Sequence, residues 1–326
     1  MKAAVYTRYG PPSVAEIRDL EKPVPIDDEV LIKVRAASVN PADWRLMRGV
    51  PFVFHLLFGV RKPTLMQPGR LGHDVAGQVE AIGSKVSRFK PGDEVFGAGR
   101  GSLAEYVCVS ETRLALKPES VSFEQAASAP VAGLTALQGL RDKGEIRAGQ
   151  KVLINGAAGG VGTFAVQIAK SFGAEVTGVC GTRNLEVVRS LGADHVIDYT
   201  QEDFTRSPQR YDLILDNVGN HSMFECRSIL HPRGICVTVG APKNPGVFLL
   251  RFLTAPLLSR FVSQKFVLFI ARINKEDLAI LSGLMESGKA KPVIGRRYPL
   301  SEAVEALQHL EEGHVRGKLI IAMGDR

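Results

Sequence analysis

The stretch that decides the fold is NGAAGGVGTFAVQIAK, residues 155–170. It follows the apolar run KVLIN (151–155), which predicts a buried strand, and its second half carries apolar residues at helical spacing. A glycine-rich turn between a strand and a helix is the setting in which the G-x-G-x-x-G pattern binds a dinucleotide. Aligned on that pattern, the three small positions are Ala157, Gly159 and Gly162.

Alanine at the first of these positions is compatible with the turn if its φ stays negative, because only a small residue is needed there. The second glycine allows the backbone to approach a pyrophosphate, and the third allows the helix to pack closely on the strand. The N–H groups at the helix start then face the phosphates. We therefore expect the pyrophosphate to contact Ala158, Gly159, Gly160, Val161 and Gly162. The alternative is a strand–helix turn that binds nothing.

The end of the second strand, EVTGV (175–179), indicates which nucleotide is bound. NAD-binding chains carry an acidic residue at that point, which takes the ribose hydroxyls. Here the chain continues as Gly181-Thr182-Arg183-Asn184 without a carboxylate. A 2′-phosphate therefore has room, and Arg183 can pair with it bidentately. The sequence favours NADPH over NADH; the alternative is that Arg183 is an ordinary solvated arginine.

Strands and helices alternate from Lys151 onward, which predicts an α/β class with a Rossmann-type, doubly wound parallel sheet. The first 120 residues instead carry short alternating runs between Pro and Gly turns, which predict an antiparallel, barrel-like β-rich domain. A helix near 301–313 and the strand KLIIAM are expected to return to that domain. The other strands predicted for the parallel sheet are HVID (195–198), DLILD (212–216), ICVTVG (235–240) and KFVLFI (265–270).

The composition is that of an ordinary globular protein, and 326 residues are enough for two domains. The net charge of +7 and the pI near 9.3 favour anionic ligands. The basic residues form no run of five or more, so we expect no nucleic-acid partner. The four cysteines form no C-x-x-C pair, as expected of free thiols. Because the N-terminus lacks an apolar signal core and Lys and Arg interrupt the longest apolar stretch, we expect a cytoplasmic protein with no integral membrane segment.

The sequence argues against a catalytic zinc ion, which needs three ligands of the His, Cys or carboxylate type. The candidate ligands are His73 and Asp74 in GHDVAG (72–77), whereas the first cysteine of the chain is Cys108. No cluster of four closely spaced cysteines is available for a structural zinc site either. A histidine beside an aspartate in such a turn is more often hydrogen bonded within the fold. We therefore expect no metal.

Seven motifs spread over the whole chain resemble those of one known family. They are MKAAVY at the start, ASVNPADWRLMRG (37–49), GHDVAG, FKPGDEVFG (89–97), AAGGVG (157–162), LGADHVIDY (191–199) and GKLII near the end. Together they are similar to the zinc-independent medium-chain dehydrogenase/reductases, in the quinone oxidoreductase-like branch of zeta-crystallin and the mitochondrial reticulon-interacting-protein-like reductases. The resemblance implies a GroES-like catalytic domain (1–120 and 275–326), a Rossmann NADP-binding domain (121–274) and a cleft between them. It also implies a homodimer formed by edge pairing of the KFVLFI strands.

The resemblance further assigns roles to single residues. Asn40 stands where zinc-dependent relatives carry a cysteine ligand, and is expected to contact the nicotinamide end of the cofactor or the substrate. Arg45 stands near the position at which several quinone reductases carry a pocket tyrosine, so no tyrosine acid can be transferred to this chain. The other residues expected along the cofactor are Gly181 and Tyr199 at the 2′-phosphate, Asn217 and Gly240 at strand ends, and Lys318.

Without a metal to polarise a simple ketone, the site suits acceptors activated by conjugation. We expect hydride transfer from NADPH to quinones or α,β-unsaturated carbonyls. Asn40 is the candidate hydrogen-bond donor to the acceptor oxygen and Arg45 the second candidate, although either could be purely structural.

Two apolar stretches, 50–59 and 245–258, are expected to wall a pocket for a bulky apolar acceptor; the alternatives are core, a subunit contact or contact with a membrane surface. The rival functions are an alcohol or aldehyde dehydrogenase of the same superfamily and a non-catalytic NADPH-binding scaffold.

Overall fold

The computed structural model describes residues 1–49, 63–240, 254 and 262–324. The chain divides into two compact units. The first consists of Met1–Val131, Ile273–Ser287 and Pro292–Arg326, and the second of Ala132–Arg272 and Gly288–Lys291. Apart from residue 254, the two apolar stretches predicted to wall a pocket lie outside the described residues.

The strands and helices of the described residues follow the alternation seen in the sequence. In chain order the strands are β1 (Lys2–Tyr6), β2 (Ala15–Asp19), β3 (Glu29–Ser38), β4 (Gly69–Arg70), β5 (Asp74–Ile82), β6 (Glu94–Ala98), β7 (Tyr106–Ser110), β8 (Leu114–Leu116), β9 (Lys151–Asn155), β10 (Glu175–Cys180), β11 (His195–Asp198), β12 (Tyr211–Asp216), β13 (Leu230–Thr238), β14 (Lys265–Leu268), β15 (Ile294–Pro299) and β16 (Lys318–Ala322). The helices are α1 (Pro41–Met47), α2 (Phe123–Ala127), α3 (Pro130–Gln138), α4 (Gly160–Ser171), α5 (Leu185–Ser190), α6 (Met223–Ser228), α7 (Lys275–Glu286) and α8 (Ala303–Glu312).

The first unit is largely antiparallel, as the alternating runs predicted. Its described strands form a small sheet in the order β2-β1-β4 and a larger one in the order β15-β16-β3-β5-β6-β8, with β7 also paired to β3. Strand β16 lies antiparallel to β3, with Ile320 opposite Ser38, which confirms that the end of the chain returns to this unit. Strand β5 lies on the other side of β3, with Asp74 opposite Ser38. The end of β3 and the starts of β5 and β16 therefore meet at one place.

Residues 121–131, which the sequence analysis placed with the dinucleotide domain, lie in the first unit. Helix α2 packs against β3 and β5 there. The N–H of Val131 donates a hydrogen bond to Asp74 Oδ1 at 2.8 Å. The buried start of β5 therefore holds this segment in the first unit.

The second unit contains a parallel sheet with the described strands in the order β11-β10-β9-β12-β13-β14. This is the strand order of dinucleotide-binding Rossmann domains, in which the ligand binds at the carboxyl ends of the strands where the order reverses. Strand β14 pairs in parallel with β13, so the KFVLFI run supplies the sixth strand as predicted. Within the described ranges, no helix is both long enough and apolar enough to cross a membrane.

Candidate active site

The glycine turn follows β9 in the second unit and leads into α4. Gly156 carries the left-handed conformation, with φ of +75°, whereas Ala157 keeps a negative φ. Alanine therefore meets the condition that the sequence pattern set for it. A Cβ on Gly162 would lie 2.7 Å from the Cα and carbonyl carbon of Ala157, and closer still to the carbonyl oxygen of Gly156. The absence of a side chain at Gly162 is what lets α4 pack directly on the turn.

The first turn of α4 presents backbone rather than side chains. Gly159 is its N-cap, and no side chain caps the helix, so the N–H groups of Gly160, Val161 and Gly162 have no side-chain acceptor. Within the described residues, a Cβ built on Gly159 would meet only the carbonyl oxygen of Gly156, at 3.5 Å. Ala158 adds no more than a methyl group. Backbone donors beside open space fit the pyrophosphate of a dinucleotide.

Gly181, Thr182, Arg183 and Tyr199 lie together where β10 and β11 end. The Tyr199 ring covers Gly181, because a Cβ there would lie 3.1 Å from the Tyr199 hydroxyl oxygen. Arg183 lies in the exposed 3-10 turn Thr182–Asn184 and makes no hydrogen bond or ion pair with the rest of the described chain. The residues predicted to surround a 2′-phosphate are thus neighbours in the fold, and the guanidinium is available to one.

Asp198 is a residue at this place that the sequence analysis missed. It ends β11, opposite Cys180 in β10, and its Oδ2 accepts a hydrogen bond from the Thr182 hydroxyl at 2.6 Å. Its Oδ1 accepts from the N–H and the hydroxyl of Thr200. These hydrogen bonds, that from Thr182 above all, lower the pKa of Asp198. The carboxylate that is missing after β10 is therefore present after β11. The sequence signal that could have identified Asp198 is its position directly before Tyr199 in the VIDY motif.

Asn217 and Gly240 lie at the carboxyl ends of β12 and β13, near the point where the strand order reverses. The Asn217 Nδ2 donates to the carbonyl oxygen of Asn155 at 2.9 Å. Its Oδ1 is buried without a hydrogen-bond partner in the described part of the chain. A Cβ on Gly240 would lie 2.5 Å from the Asn217 carbonyl carbon, so glycine is needed for the two strand ends to meet. An unpaired buried acceptor at this edge suits a donor group of a ligand.

A buried polar cluster occupies the place in the first unit where β3 ends and β5 and β16 begin. Lys318 Nζ lies 2.6 Å from Asn40 Oδ1 and 3.0 Å from Asp74 Oδ2. Asn40 Nδ2 (2.9 Å) and the Ser38 hydroxyl (2.7 Å) also donate to Asp74 Oδ2. The side chains of Lys318 and Asp74 are 5% and 0% exposed, so each charge has the other in place of water. Asn40 and Lys318, singled out separately in the sequence, are thus in contact.

A second carboxylate, that of Asp43, lies beside this cluster on α1. Its Oδ2 accepts from the Asn40 N–H at 2.7 Å, and its Oδ1 accepts from the Gly72 N–H at 3.2 Å. His73 Nδ1 lies 2.7 Å from the same Oδ1. Asp43 was not predicted as a site residue, although the order Asn-Pro-x-Asp at the start of a helix is the pattern of an N-terminal cap.

Arg45 lies on the same helix, and its guanidinium carbon is 5.2 Å from the centre of the Trp44 ring. Burial lowers the pKa of Arg45. Over the described residues, no three side chains of the His, Cys, Asp and Glu types are grouped as metal ligands would be.

Comparison with known proteins adds to this geometry. The alcohol dehydrogenase GroES-like domain matches residues 26–119, and the zinc-binding dehydrogenase family model matches residues 191–321. The 2-methylene-furan-3-one reductase of Solanum lycopersicum is 37% identical over 336 residues, which are 98% of this chain and 79% of the relative. The chloroplastic NADPH-dependent alkenal/one oxidoreductase of Arabidopsis thaliana is 36% identical with the same coverage.

A solved structure, that of the quinone oxidoreductase from Coxiella burnetii, has a TM-score of 0.88 and is 36% identical, covering 100% of this chain and 99% of its own. The glycine turn at the head of the parallel sheet defines a dinucleotide-binding domain, and the relatives place that domain in a dehydrogenase/reductase. The chain belongs to the medium-chain dehydrogenase/reductase superfamily, in its quinone oxidoreductase-like branch, as the seven motifs predicted.

Proposed function

We propose that this chain is an NADPH-dependent reductase of quinones and α,β-unsaturated carbonyls that works without zinc. The names of its relatives share one chemistry, a carbonyl group conjugated with a carbon–carbon double bond. The observation that carries the proposal is the open glycine turn at the head of the parallel sheet, where backbone donors and Gly159 fit a dinucleotide pyrophosphate. When bound, NADPH supplies the hydride, and the chain supplies position, charge and exclusion of water.

The proposed cofactor residues divide by the part of NADPH that they would hold. The first turn of α4, from Ala158 to Gly162, would hold the pyrophosphate. Gly181, Thr182, Arg183 and Tyr199 would surround the adenosine 2′-phosphate, with the Arg183 guanidinium as its counter-charge. Asn217 and Gly240 would line the path at the ends of β12 and β13. Lys318 is proposed to lie along the cofactor as well; its ammonium group binds Asp74 and Asn40, which leaves the third of its N–H donors for the cofactor.

Zinc independence is supported by the way in which the candidate ligands are used. Asp74 accepts four hydrogen bonds, from Ser38, Asn40, Lys318 and Val131, which saturates a carboxylate. One of these donors is the Lys318 ammonium group, which already supplies the positive charge that a metal ion would bring to this carboxylate. His73 is engaged through Nδ1 with Asp43. A zinc ion bound to Asp74 would have to displace these donors, and His73 alone would leave it short of the three protein ligands that a catalytic zinc needs.

Asn40 is the residue proposed to bind the carbonyl oxygen of the acceptor or the nicotinamide amide. Its Nδ2 carries two N–H donors, of which one is directed to Asp74. The Lys318 ammonium on Asn40 Oδ1 withdraws electrons from the amide, which strengthens the remaining N–H as a donor. Such a donor stabilises the negative charge that develops on oxygen when a conjugated carbonyl accepts hydride.

The proposal is tested by NADPH oxidation, followed at fixed protein concentration against quinones, enones, simple ketones and alcohols. We expect turnover with the first two classes only, a preference for NADPH over NADH, and no loss of rate with a chelator. Stoichiometric zinc in the purified protein together with alcohol oxidation would favour the alcohol dehydrogenase alternative. Saturable NADPH binding without turnover on any acceptor would favour the scaffold.

Replacing Arg183 with alanine is expected to weaken NADPH binding about 10- to 100-fold, because a charge-assisted arginine–phosphate contact contributes roughly 1.5–3 kcal/mol. Binding of NADH, which has no 2′-phosphate, should change less than about twofold. The measurement is the dissociation constant of each nucleotide, by fluorescence or calorimetry. Arg206→Ala, which removes another exposed arginine of the second unit, is the matched control.

Asp198→Asn should increase the preference for NADPH over NADH, whereas Arg183→Ala should decrease it. The asparagine removes a negative charge beside Thr182 while keeping an acceptor for the Thr182 hydroxyl. We expect a several-fold tighter complex with NADPH, consistent with the small energies of exposed charges. Equal changes in the dissociation constants of NADPH and NADH in both variants would show that these residues do not contact the 2′-phosphate.

Two further features belong to the proposal. Strand β14 is at the edge of the described sheet, which makes its outer side available for pairing with a second copy in a homodimer. Sedimentation of the purified chain measures that state. A cytoplasmic location, predicted from the free thiols and from the lack of an apolar signal core, is measured by fractionation of the source cells.

A further inference from the structure

The Asp43–His73 pair has the geometry of a proton donor held by a carboxylate. His73 Nδ1 lies 2.7 Å from Asp43 Oδ1, and because the carboxylate accepts, Nδ1 is the protonated nitrogen. The Asp43 side chain is 0% exposed, whereas that of His73 is 23% exposed. Within the described ranges Nε2 of His73 has no hydrogen-bond partner. The carboxylate therefore fixes one side of the ring, and Nε2 on the other side is not engaged by the described residues.

The same carboxylate also fixes the residue proposed to bind the acceptor oxygen. Asp43 Oδ2 accepts from the Asn40 N–H at 2.7 Å, and Oδ1 accepts additionally from the Gly72 N–H. The His73 ring and the Asn40 backbone are thus bound to the two oxygens of one buried group. A donor of hydrogen bonds to the acceptor and a donor of protons are thereby held in fixed relation within the first unit.

The charges around His73 favour its protonated form. Burial acts to lower the pKa of His73, and this effect is opposed by the charge and hydrogen bond of Asp43 and by the charge of Asp74, while Arg100 acts with burial. The net result is a pKa raised above the usual value for histidine. At neutral pH a larger share of this imidazole therefore carries a proton on both nitrogens than in a free histidine.

We propose that His73 is the proton donor for the reduction of α,β-unsaturated carbonyls, an inference that rests on the proposed function. When the β carbon forms its new C–H bond with hydride, the electron pair of the double bond moves toward the carbonyl oxygen. The N–H bond at His73 Nε2 then breaks, and its proton forms the C–H bond at the α carbon. The substrate has gained a hydride and a proton, and the neutral imidazole takes a proton from water.

Quinones do not require this step, which gives the proposal a specific signature. A quinone that accepts hydride ends as a phenolate, and an oxygen atom takes a proton from water without a positioned acid. Protonation at carbon is slow without one, and a positioned general acid typically contributes about 10²- to 10⁴-fold. His73 should therefore matter for enones and not for quinones.

The test is His73→Asn, whose amide N–H keeps a donor near the position of Nδ1 while removing the titrating nitrogen. We expect kcat for an enone to fall at least about 100-fold, with kcat for a quinone, the NADPH dissociation constant and the melting temperature unchanged. The wild-type enone rate should fall as pH rises through the pKa of His73, and this limb should vanish in the variant. His195→Asn, at an exposed histidine of the second unit, should change none of these quantities.

A measurement without turnover accompanies the kinetics. Titration of the seven histidines by proton NMR, with His73 assigned from the variant, should show a pKa above the usual value. Asp43→Asn should lower it. An unchanged enone rate in His73→Asn, or equal losses on enone and quinone, would overturn the role of His73 alone. A wild-type protein that binds NADPH and reduces neither acceptor would overturn the proposed function and this inference together.

Discussion

Replacing Lys318 with methionine is expected to lower the free energy of unfolding of the first unit by about 3–5 kcal/mol, the usual result of breaking a buried ion pair from one side. Lys318 and Asp74 are 5% and 0% exposed, with Nζ and Oδ2 3.0 Å apart. Without the ammonium group the Asp74 carboxylate stays buried among neutral donors. The measurement is urea unfolding followed by the fluorescence of Trp44, the single tryptophan, which lies on α1 in this unit.

The double variant Lys318→Met/Asp74→Asn should recover a large part of the loss, because no uncompensated charge then remains inside the unit. Lys85→Met is the matched control. Its partner Asp27 is at a similar distance, 3.1 Å, but the two side chains are 70% and 60% exposed. That surface pair should contribute less than about 1 kcal/mol. Equal losses for Lys318→Met and Lys85→Met would contradict the assignment of the cluster as a buried ion pair.

Gly162→Ala is expected to destabilise the second unit by about 3 kcal/mol, at the upper end for overpacking. In an open helix the same change would stabilise, since alanine is the better helix former by about 1 kcal/mol. Here the new methyl would lie 2.7 Å from backbone atoms of Ala157, which cannot move aside without separating α4 from the turn. The informative result is that the change from glycine to alanine lowers the stability here, whereas in an open helix it would raise it. It is measured by hydrogen exchange of the β9 amides, because the single tryptophan lies in the other unit.

Gly159→Ala provides the companion to that experiment. The added methyl would meet protein only at 3.5 Å, and Gly159 has an ordinary extended φ of −77°. Stability should therefore change by less than about 0.5 kcal/mol, as at sites away from the core. NADPH binding should still fall at least tenfold, because the methyl fills the space in which we place the pyrophosphate. A stable Gly159→Ala protein with unchanged affinity would show that the nucleotide binds elsewhere.

The parallel sheet could be predicted because each of its strands is a local apolar run. All six runs from KVLIN to KFVLFI are strands, and the main difference is that β13 begins at Leu230, five residues before the predicted ICVTVG. Those residues, LHPRG, lack apolar periodicity. Leu230 pairs with Tyr211 of β12, and a register shift, with Arg233 at a positive φ of 67°, separates this pair from the regular pairing that begins at Ile235. The negative φ of Ala157 was likewise a local requirement, and the turn satisfies it.

The charge pattern of the site could not be predicted in the same way, because it depends on which strand ends meet. The sequence after β10 shows no carboxylate, yet Asp198 reaches Thr182 from the end of the neighbouring strand. Lys318 bonds to Asn40 across a separation of 278 residues, which no periodicity reveals. Asp43 was missed because a capping residue has a structural reason to be present, and only the fold shows that it also holds His73.

The place of β16 in the first unit sets an order of events during synthesis on the ribosome. The second unit is almost contiguous, from Ala132 to Arg272, whereas the large sheet of the first lacks β16 until residue 322 has emerged. Domains generally fold as units, the earlier-completed one first. The middle of the chain is therefore complete before the large sheet of the first unit is, and Asp74 has its counter-ion only after Lys318 has been synthesised.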